Sequence, residues 1–387
     1  LPLPDQVGIS LNQHLGKPAK ALVKKNQEIE VGEKIGEADG FISANVHSSV
    51  AGKVTKVEPV MTAVGVLGNA VLITVDKEKT LEGYQAYADR EPADYTTMDP
   101  KDMVAKIQEC GVVGMGGATF PANVKLSPPP DKKIDTILIN GAECEPYLTA
   151  DHQLMLEQPE ALLHGVMIMQ RILGVENTWI GIETNKPDAI KKLQKLIDEG
   201  SYPGVKVAPL KTQYPQGGEK QLIAAVTGRE VPSGKLPFEV GCLVQNTGTA
   251  VAMYEAVCLD KPLIQRVTTI TGFVKEPGNF LIPIGVPFGY AIDTCAGGFR
   301  DENRVKTIIN GGPMMGKTVR TVDVATMKGT SGILVMSDTD HTYQDEGPCI
   351  RCGRCVDGCP MGLMPTALAV ASEFSRPESL DHVMDCI

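Results

Sequence analysis

The chain has 387 residues, 42% hydrophobic and 22% charged, with a net charge of −10, a length that predicts ~2–4 domains. The acidic balance and the 5% aromatic content argue against nucleic acid as a partner. No run reaches the ~18 apolar residues of a membrane span, since the most apolar piece, 162–175, is broken by His164, Gln170 and Arg171, and no secretory leader is visible after Leu1, a start that leaves targeting open.

From 7 to 76, short β-like runs at 21–23, 28–31, 34–37, 52–57 and 70–75 alternate with glycine turns and predict a small sandwich or barrel. The wording of 16–57 resembles the barrel-sandwich hybrid of lipoyl and biotinyl carrier domains. Where such a carrier bears its modified lysine, this chain has Ala38-Asp39-Gly40, so 1–80 is expected to dock and not to swing a prosthetic group. His14 and His47 have no ligand partner at a recognisable spacing and read as structural. The polar stretch 81–99 reads as a linker.

A helix over 100–110, with Asp99 as its cap, leads into Gly114-Met-Gly-Gly-Ala-Thr-Phe-Pro121 and then Lys125. Gly114, Gly116 and Gly117 can take positive φ and admit a ligand to the backbone, Pro121 suits the first turn of a helix, and Lys125 returns one cation. Strands at 136–140, 178–182 and 205–209 alternate with helices at 159–173 and 187–197, which predicts a parallel α/β sheet with its ligand beyond the carboxyl ends. Three polar clusters fall at that edge: Asn140-Gly-Ala-Glu-Cys-Glu-Pro146, Tyr214-Pro-Gln-Gly-Gly-Glu-Lys220 and Gln245-Asn-Thr-Gly-Thr249. This unit is expected to span 100–262.

Short strands at 268–273, 278–283, 287–292 and 305–309 predict a β-grasp insert over 263–312, and their wording resembles the SLBB type. The return segment 313–340, entered through Gly311-Gly-Pro-Met-Met-Gly316, has no assigned neighbour.

Cys110, Cys144, Cys242, Cys258 and Cys295 are scattered and read as buried thiols, whereas Cys349-x-x-Cys352-x-x-Cys355-x-x-x-Cys359-Pro360 has iron–sulfur spacing. Paired cysteines with a wide gap would favour zinc instead. Such thiolates imply a reducing compartment. In two-cluster ferredoxins of this kind the fourth cysteine serves the other cluster, so Cys359 and Cys386 are assigned to a second 4Fe-4S cluster whose remaining ligands are expected beyond Ile387. The spacing of Met364, Leu368 and Ala371 predicts a helical ferredoxin-type module over 341–387. A cluster passes one electron and a nicotinamide a hydride, so a chain joining them needs a flavin, and a phosphate cradle points to FMN.

Taken in order, the glycine loop, the three polar clusters and the cysteine module resemble the NADH-binding flavoprotein subunit of respiratory complex I, and more closely the C subunit of Rnf electron-transport complexes, across nearly the whole chain. The A subunit of the sodium-pumping quinone reductase shares the front and middle but lacks the cysteine module. The resemblance implies that Gly114, Gly116, Gly117, Ala118 and Phe120 line the flavin, that Lys125 and Asn140 face its phosphate and ribityl side, and that Asn246 and Thr249 close the pocket. It gives Glu143 and Glu145 as the acidic pair of the flavin–nicotinamide site, Glu219 as a residue beside the nicotinamide, and Phe238 as one near the adenine. Glu145 and Glu219 are the expected catalytic residues. Met115, Ala142, Gly218, Gln245 and Leu126-Ser127 depart from the complex I pattern, which bears more on NADH than on flavin.

The same resemblance implies an oxidoreductase that exchanges electrons among NAD(H), FMN and 4Fe-4S clusters. It would lie on the cytoplasmic face of a membrane complex beside a ferredoxin-type subunit and other subunits, and that complex would couple ferredoxin:NAD+ oxidoreduction to Na+ or H+ transport. The alternatives are a diaphorase subunit of a soluble hydrogenase or formate dehydrogenase, and a relay scaffold without a nicotinamide site.

Overall fold

Runs rich in valine and isoleucine alternate with exposed lysine and glutamate at the front of the chain, and this period of two makes strands with one buried face. In the computed structural model, which describes residues 2–340, 347–376, 378, 380 and 382–386, they are β1 (Gln6–Ser10), β2 (Lys20–Ala21), β3 (Glu28–Ile29), β4 (Lys34–Glu37), β5 (Val46–His47), β6 (Gly52–Met61) and β7 (Leu67–Val75). They form one sheet in the order β1-β7-β6-β3 and another in the order β2-β4-β5. Ile9, Ile35, Val46, Val54 and Ile73 are fully buried in this unit. At the tip of the hairpin Asp39 pairs with Lys17 at 2.7 Å.

The stretch expected to be a linker begins instead as a helix, α1 (Lys77–Ala88). Asp76 caps it by accepting from the Lys79 N–H at 3.1 Å, Thr80 is buried, and the Tyr84 hydroxyl donates to the Ser49 carbonyl at 2.6 Å. Its polar sequence is that of a helix strapped to the barrel along one narrow line.

The middle unit runs α2 (Pro100–Glu109), α3 (Ala122–Lys125), β8 (Thr136–Asn140), α4 (Ala150–Glu157), α5 (Pro159–Leu173), β9 (Thr178–Glu183), α6 (Pro187–Glu199), β10 (Val205–Leu210), α7 (Glu219–Thr227), β11 (Cys242–Asn246) and α8 (Thr247–Leu259). Asp99 caps α2 through the Lys101 N–H at 2.8 Å. The sheet is parallel throughout, in the order β10-β9-β8-β11. The chain therefore builds outward from β8, then returns to its other side with β11. That reversal leaves a crevice between two adjacent strand ends.

The third unit contains β12 (Gln265–Gly272), β13 (Gly278–Pro283), α9 (Phe288–Cys295), β14 (Val305–Asn310), β15 (Lys317–Val319) and β16 (Gly332–Ser337), with a mixed sheet in the order β13-β12-β16-β14-β15. Residues 287–292, expected as a strand, belong mostly to α9, which buries Phe288, Ala291 and Ile292 at helical spacing. The return segment finds its place in this sheet, since β16 is its central strand, parallel to β12 and antiparallel to β14. Behind it come two short helices, α10 (Arg354–Asp357) and α11 (Pro365–Glu373).

One continuous hydrophobic core takes in Val7 and Ile73 of the first unit, Ile139 and Val257 of the second and Ile282 and Val335 of the third. Among the described residues no helix is long and apolar enough to cross a membrane.

Candidate functional site

Strands β8 and β11 are hydrogen-bonded neighbours, and their last residues, Asn140 and Asn246, face each other in register. Asn140 is tied inward: its Nδ2 donates to the Gly217 carbonyl at 2.7 Å, and its Oδ1 accepts from the Ala142 N–H at 3.2 Å. Asn246 caps α8, accepting from the N–H groups of Gly248 and Thr249 at 2.9 and 3.4 Å, and donates to Asp151 at 2.7 Å. The first and second polar clusters are thus linked through Asn140, while the third is linked to the first stretch through Asp151.

The glycine loop arrives from α2. A bridge between Val113 and Pro121 closes its neck, the Gly114 N–H donates to the Phe120 carbonyl at 2.9 Å, and the Met115 N–H donates to Thr249 Oγ1 at 2.9 Å. Phe120 is half-buried, whereas Gly116, Gly117 and Ala118 are exposed. The glycines are not there for positive φ, as the sequence predicted: the loop's left-handed residue is Thr119, at φ 53°. Gly116 is needed for proximity, because a Cβ on it would lie 2.9 Å from the Asn246 Cβ, and a Cβ on Gly117 would meet nothing within 4 Å. Pro121 caps the short α3 without entering it.

Lys125, at the end of α3, and Glu219, the first residue of α7, were expected to serve different groups. They form an ion pair at 2.7 Å, each about one-third exposed. Phe238 lies half-buried on the 3-10 turn Pro237–Val240, packed against the core.

Glu143 is left-handed at φ 45°. Its two carboxylate oxygens accept from the N–H groups of Asp151 and His152 at 2.8 and 3.0 Å, covering the start of α4. Burial, reinforced by the neighbouring Asp151, pushes the Glu143 carboxyl up to about 8. Burial likewise raises Asp151, against the pull of Arg266, whose own guanidinium is pushed down to about 10 by burial. Lys186 stands behind them, donating to the Ala142 carbonyl at 2.7 Å and lying 3.5 Å from Glu183. Sequence reasoning missed Asp151 and Arg266. The one signal for Asp151 was its place at the start of a helix directly after a polar cluster; Arg266 sits in a strand and gave none.

Glu145 reaches another unit altogether, its Oε1 accepting from the N–H groups of Met314 and Met315 at 2.7 and 3.0 Å. Cys144 accepts from the Gly217 N–H at 3.2 Å. Tyr214 is raised by burial, then by Glu145, Cys144 and Cys386, which places Cys386 within electrostatic reach of the crevice. Two described residues of the cysteine-bearing part touch this unit: Asp385 accepts from Ser233 Oγ at 2.6 Å and lies 3.9 Å from Lys220 of α7, and Met361 Sδ accepts from Gln221 Nε2 of α7 at 3.1 Å.

These residues fit an extended ligand bearing a phosphate. They offer exposed glycine backbone, a cation on α3, and a buried donor, Gln245 Nε2, without a hydrogen-bond partner among the described residues. The cysteines present a suitable thiolate set, but Cys349, Cys352, Cys355 and Cys386 are exposed and Cys359 half-buried. Among the described residues no three His, Cys, Asp or Glu side chains gather into a group able to hold a metal. The structure thus links the residues expected to face a flavin and does not gather the described cysteines into one set.

The chain is similar to known proteins along most of its length. Residues 107–255 match the Nuo51 FMN-binding domain, 1–78 the RnfC barrel sandwich hybrid domain and 267–318 the SLBB domain. The chain is 47% identical to the C subunit of the proton-translocating ferredoxin:NAD(+) oxidoreductase complex of Clostridium ljungdahlii, over 96% of this chain and 79% of that one. It is 45% identical to the Na(+)-translocating counterpart of Acetobacterium woodii, over 96% and 82%. Among solved structures, an NAD+-reducing NiFe hydrogenase in the H2-reduced state superposes with a TM-score of 0.53 at 20% identity, covering 65% of this chain and 50% of that one, a likeness of fold. With 38–47% identity to relatives covered over 70–82% of their length, the chain belongs to the family of C subunits of ion-translocating ferredoxin:NAD+ oxidoreductase complexes.

Proposed function

We propose that this chain is the NAD(H)-handling, FMN-bearing subunit of such a complex, and that the crevice between β8 and β11 is where nicotinamide and flavin meet. The observation that carries the reading is the convergence of the glycine loop and the three polar clusters at the paired strand ends Asn140 and Asn246. When bound, FMN supplies exchange between two-electron and one-electron carriers. Gly114, Gly116, Gly117, Ala118 and Phe120 would face the ring, Lys125 and Asn140 the phosphate and ribityl side, and Asn246 and Thr249 the closed end.

No general acid or base is required for a hydride passing between stacked rings, so the residues act by orientation and by excluding water. Lys125 is held by Glu219, so its ammonium would be shared between that carboxylate and a phosphate bound there, and Glu219 would stand beside the nicotinamide. Glu143 and Glu145 are both engaged with backbone N–H groups, which suits them to hold the crevice in shape. The cysteine motif supports 4Fe-4S clusters through its donor set, with Cys349, Cys352, Cys355, Cys359 and Cys386 as ligands. The reducing compartment those thiolates need supports a cytoplasmic position, and membership of the family supports a place among the other subunits of a complex, a ferredoxin-type one included.

The test is anaerobic reconstitution with FMN, followed by NADH, while the flavin absorption band is recorded. Bleaching is expected. Bound but unbleached flavin would favour a relay without a nicotinamide site, and absence of bound flavin would overturn the reading. Lys125→Ala should raise the FMN dissociation constant ~10–100-fold through loss of a charge-assisted hydrogen bond.

A further inference from the structure

The stretch 143–151 carries Glu143 and Glu145, yet much of what holds it belongs to the β-grasp unit. Glu145 Oε1 is bound by the N–H groups of Met314 and Met315, on the turn between β14 and β15. That turn is shaped for the carboxylate, because a Cβ on Gly312 would lie 2.2 Å from the Glu145 Cγ and one on Gly316 2.3 Å from the Gly312 carbonyl oxygen. Further along, Leu148 lies over Gly332, where a Cβ would come within 2.4 Å of it. The Thr149 N–H donates to Thr269 Oγ1 at 3.1 Å, and Asn279 Nδ2 donates to Thr149 Oγ1 at 2.9 Å. At the far end, Arg266 of β12 stands within electrostatic reach of Asp151 and Glu143. Residues of four separate β-grasp segments thus seat one loop of the neighbouring unit.

We propose that the β-grasp unit is a working part of the flavin–nicotinamide site, with Gly312 a positioning residue that sets Glu145 and the stretch 143–151 against the nicotinamide side of the crevice. The inference rests on the reading of that crevice given above and extends it to a unit that otherwise looks like a docking module. It also absorbs the Gly311-Gly-Pro-Met-Met-Gly316 motif, for which the sequence offered no neighbour. A carboxylate gripped by two N–H groups of another unit fixes both its own side chain and the backbone on either side.

Amide hydrogen exchange of the full chain, without flavin, reads the seating directly. In Gly312→Ala and in Glu145→Ala, the amides of Thr149, Asp151 and His152 should exchange about tenfold faster, the loss expected for a charge-assisted hydrogen bond, with β8 and α8 unchanged. Glu145→Gln, which keeps an acceptor oxygen, should restore much of the protection. Asn279→Ala, a milder change at the other anchor, supplies the same readout if Gly312→Ala does not fold. In the FMN-loaded chain Gly312→Ala should raise the Michaelis constant for NADH about tenfold, while turnover at saturation falls less. Unaltered exchange in these variants would overturn the proposal whatever the flavin does. Faster exchange with an unaltered Michaelis constant would also overturn it, by showing a structural seat only. Failure of the wild-type chain to bind FMN would remove the reading on which the proposal stands.

Discussion

A carboxylate such as that of Glu143, buried beside Asp151, is destabilised in its charged form, and its hydrogen bonds to two amides offset only part of that. In the folded chain it keeps its proton up to about 8, whereas its ordinary value is 4.5. Its contribution to stability is therefore present below the ordinary value and is lost as pH rises through the folded one. Relative to wild type, Glu143→Gln should gain stability between about pH 5 and about pH 8, measured as the difference between denaturation curves. A difference independent of pH would show that the carboxyl is not perturbed. At this scale the sequence was partly legible. Residue types such as glycine and lysine announced a phosphate cradle, but the pairing of Lys125 with Glu219, which lies on another element, had no local signature. Nor had the reason for Gly116, which answers to the Asn246 side chain and not to its own φ.

Elements were readable where they carried their own period or caps. The parallel strands and the Asp99 cap of α2 are local facts of sequence. α1 was misread because a helix that touches its unit along one narrow line has almost no apolar stripe, and 287–292 because a short apolar run serves strand and helix alike. β16 could not be placed, since its parallel partner β12 is supplied from far upstream. Contact between elements also decides which small residues matter. α5 crosses α8 at Gly165, where a Cβ would lie 1.9 Å from the Ala250 carbonyl oxygen. Gly165→Ala should cost ~1–3 kcal/mol in urea denaturation by overpacking. A loss below ~0.5 kcal/mol would mean that the helices part freely at that point.

At the scale of the whole molecule, Lys328 is the tie. It is fully buried, and its ammonium donates to the carbonyls of Asn45 in the first unit and Gly111 in the second, at 2.8 and 2.6 Å. Its own N–H donates to Gln13 at 2.8 Å, and its carbonyl accepts from Arg266 at 2.7 Å. Burial pushes the amine down to about 7 from its ordinary 10.5. The charged amine therefore costs stability at and below the folded value, and that cost fades as pH rises toward the ordinary one. Lys328→Met should destabilise the chain by ~1–3 kcal/mol through two carbonyls left unpaired, and the deficit should widen between about pH 7 and about pH 9.5. A deficit that narrows over that range would refute the assignment.

The continuous core and this buried lysine also bear on how far the units can be separated. Three sequence families meet in the chain, but one core runs through all three, beside a smaller cluster within the middle unit. A recombination that brought in a foreign front unit would leave Lys328 without the Asn45 carbonyl and the core without the side chains of Val7 and Ile73. The three units are thus expected to unfold as one, in a single cooperative transition.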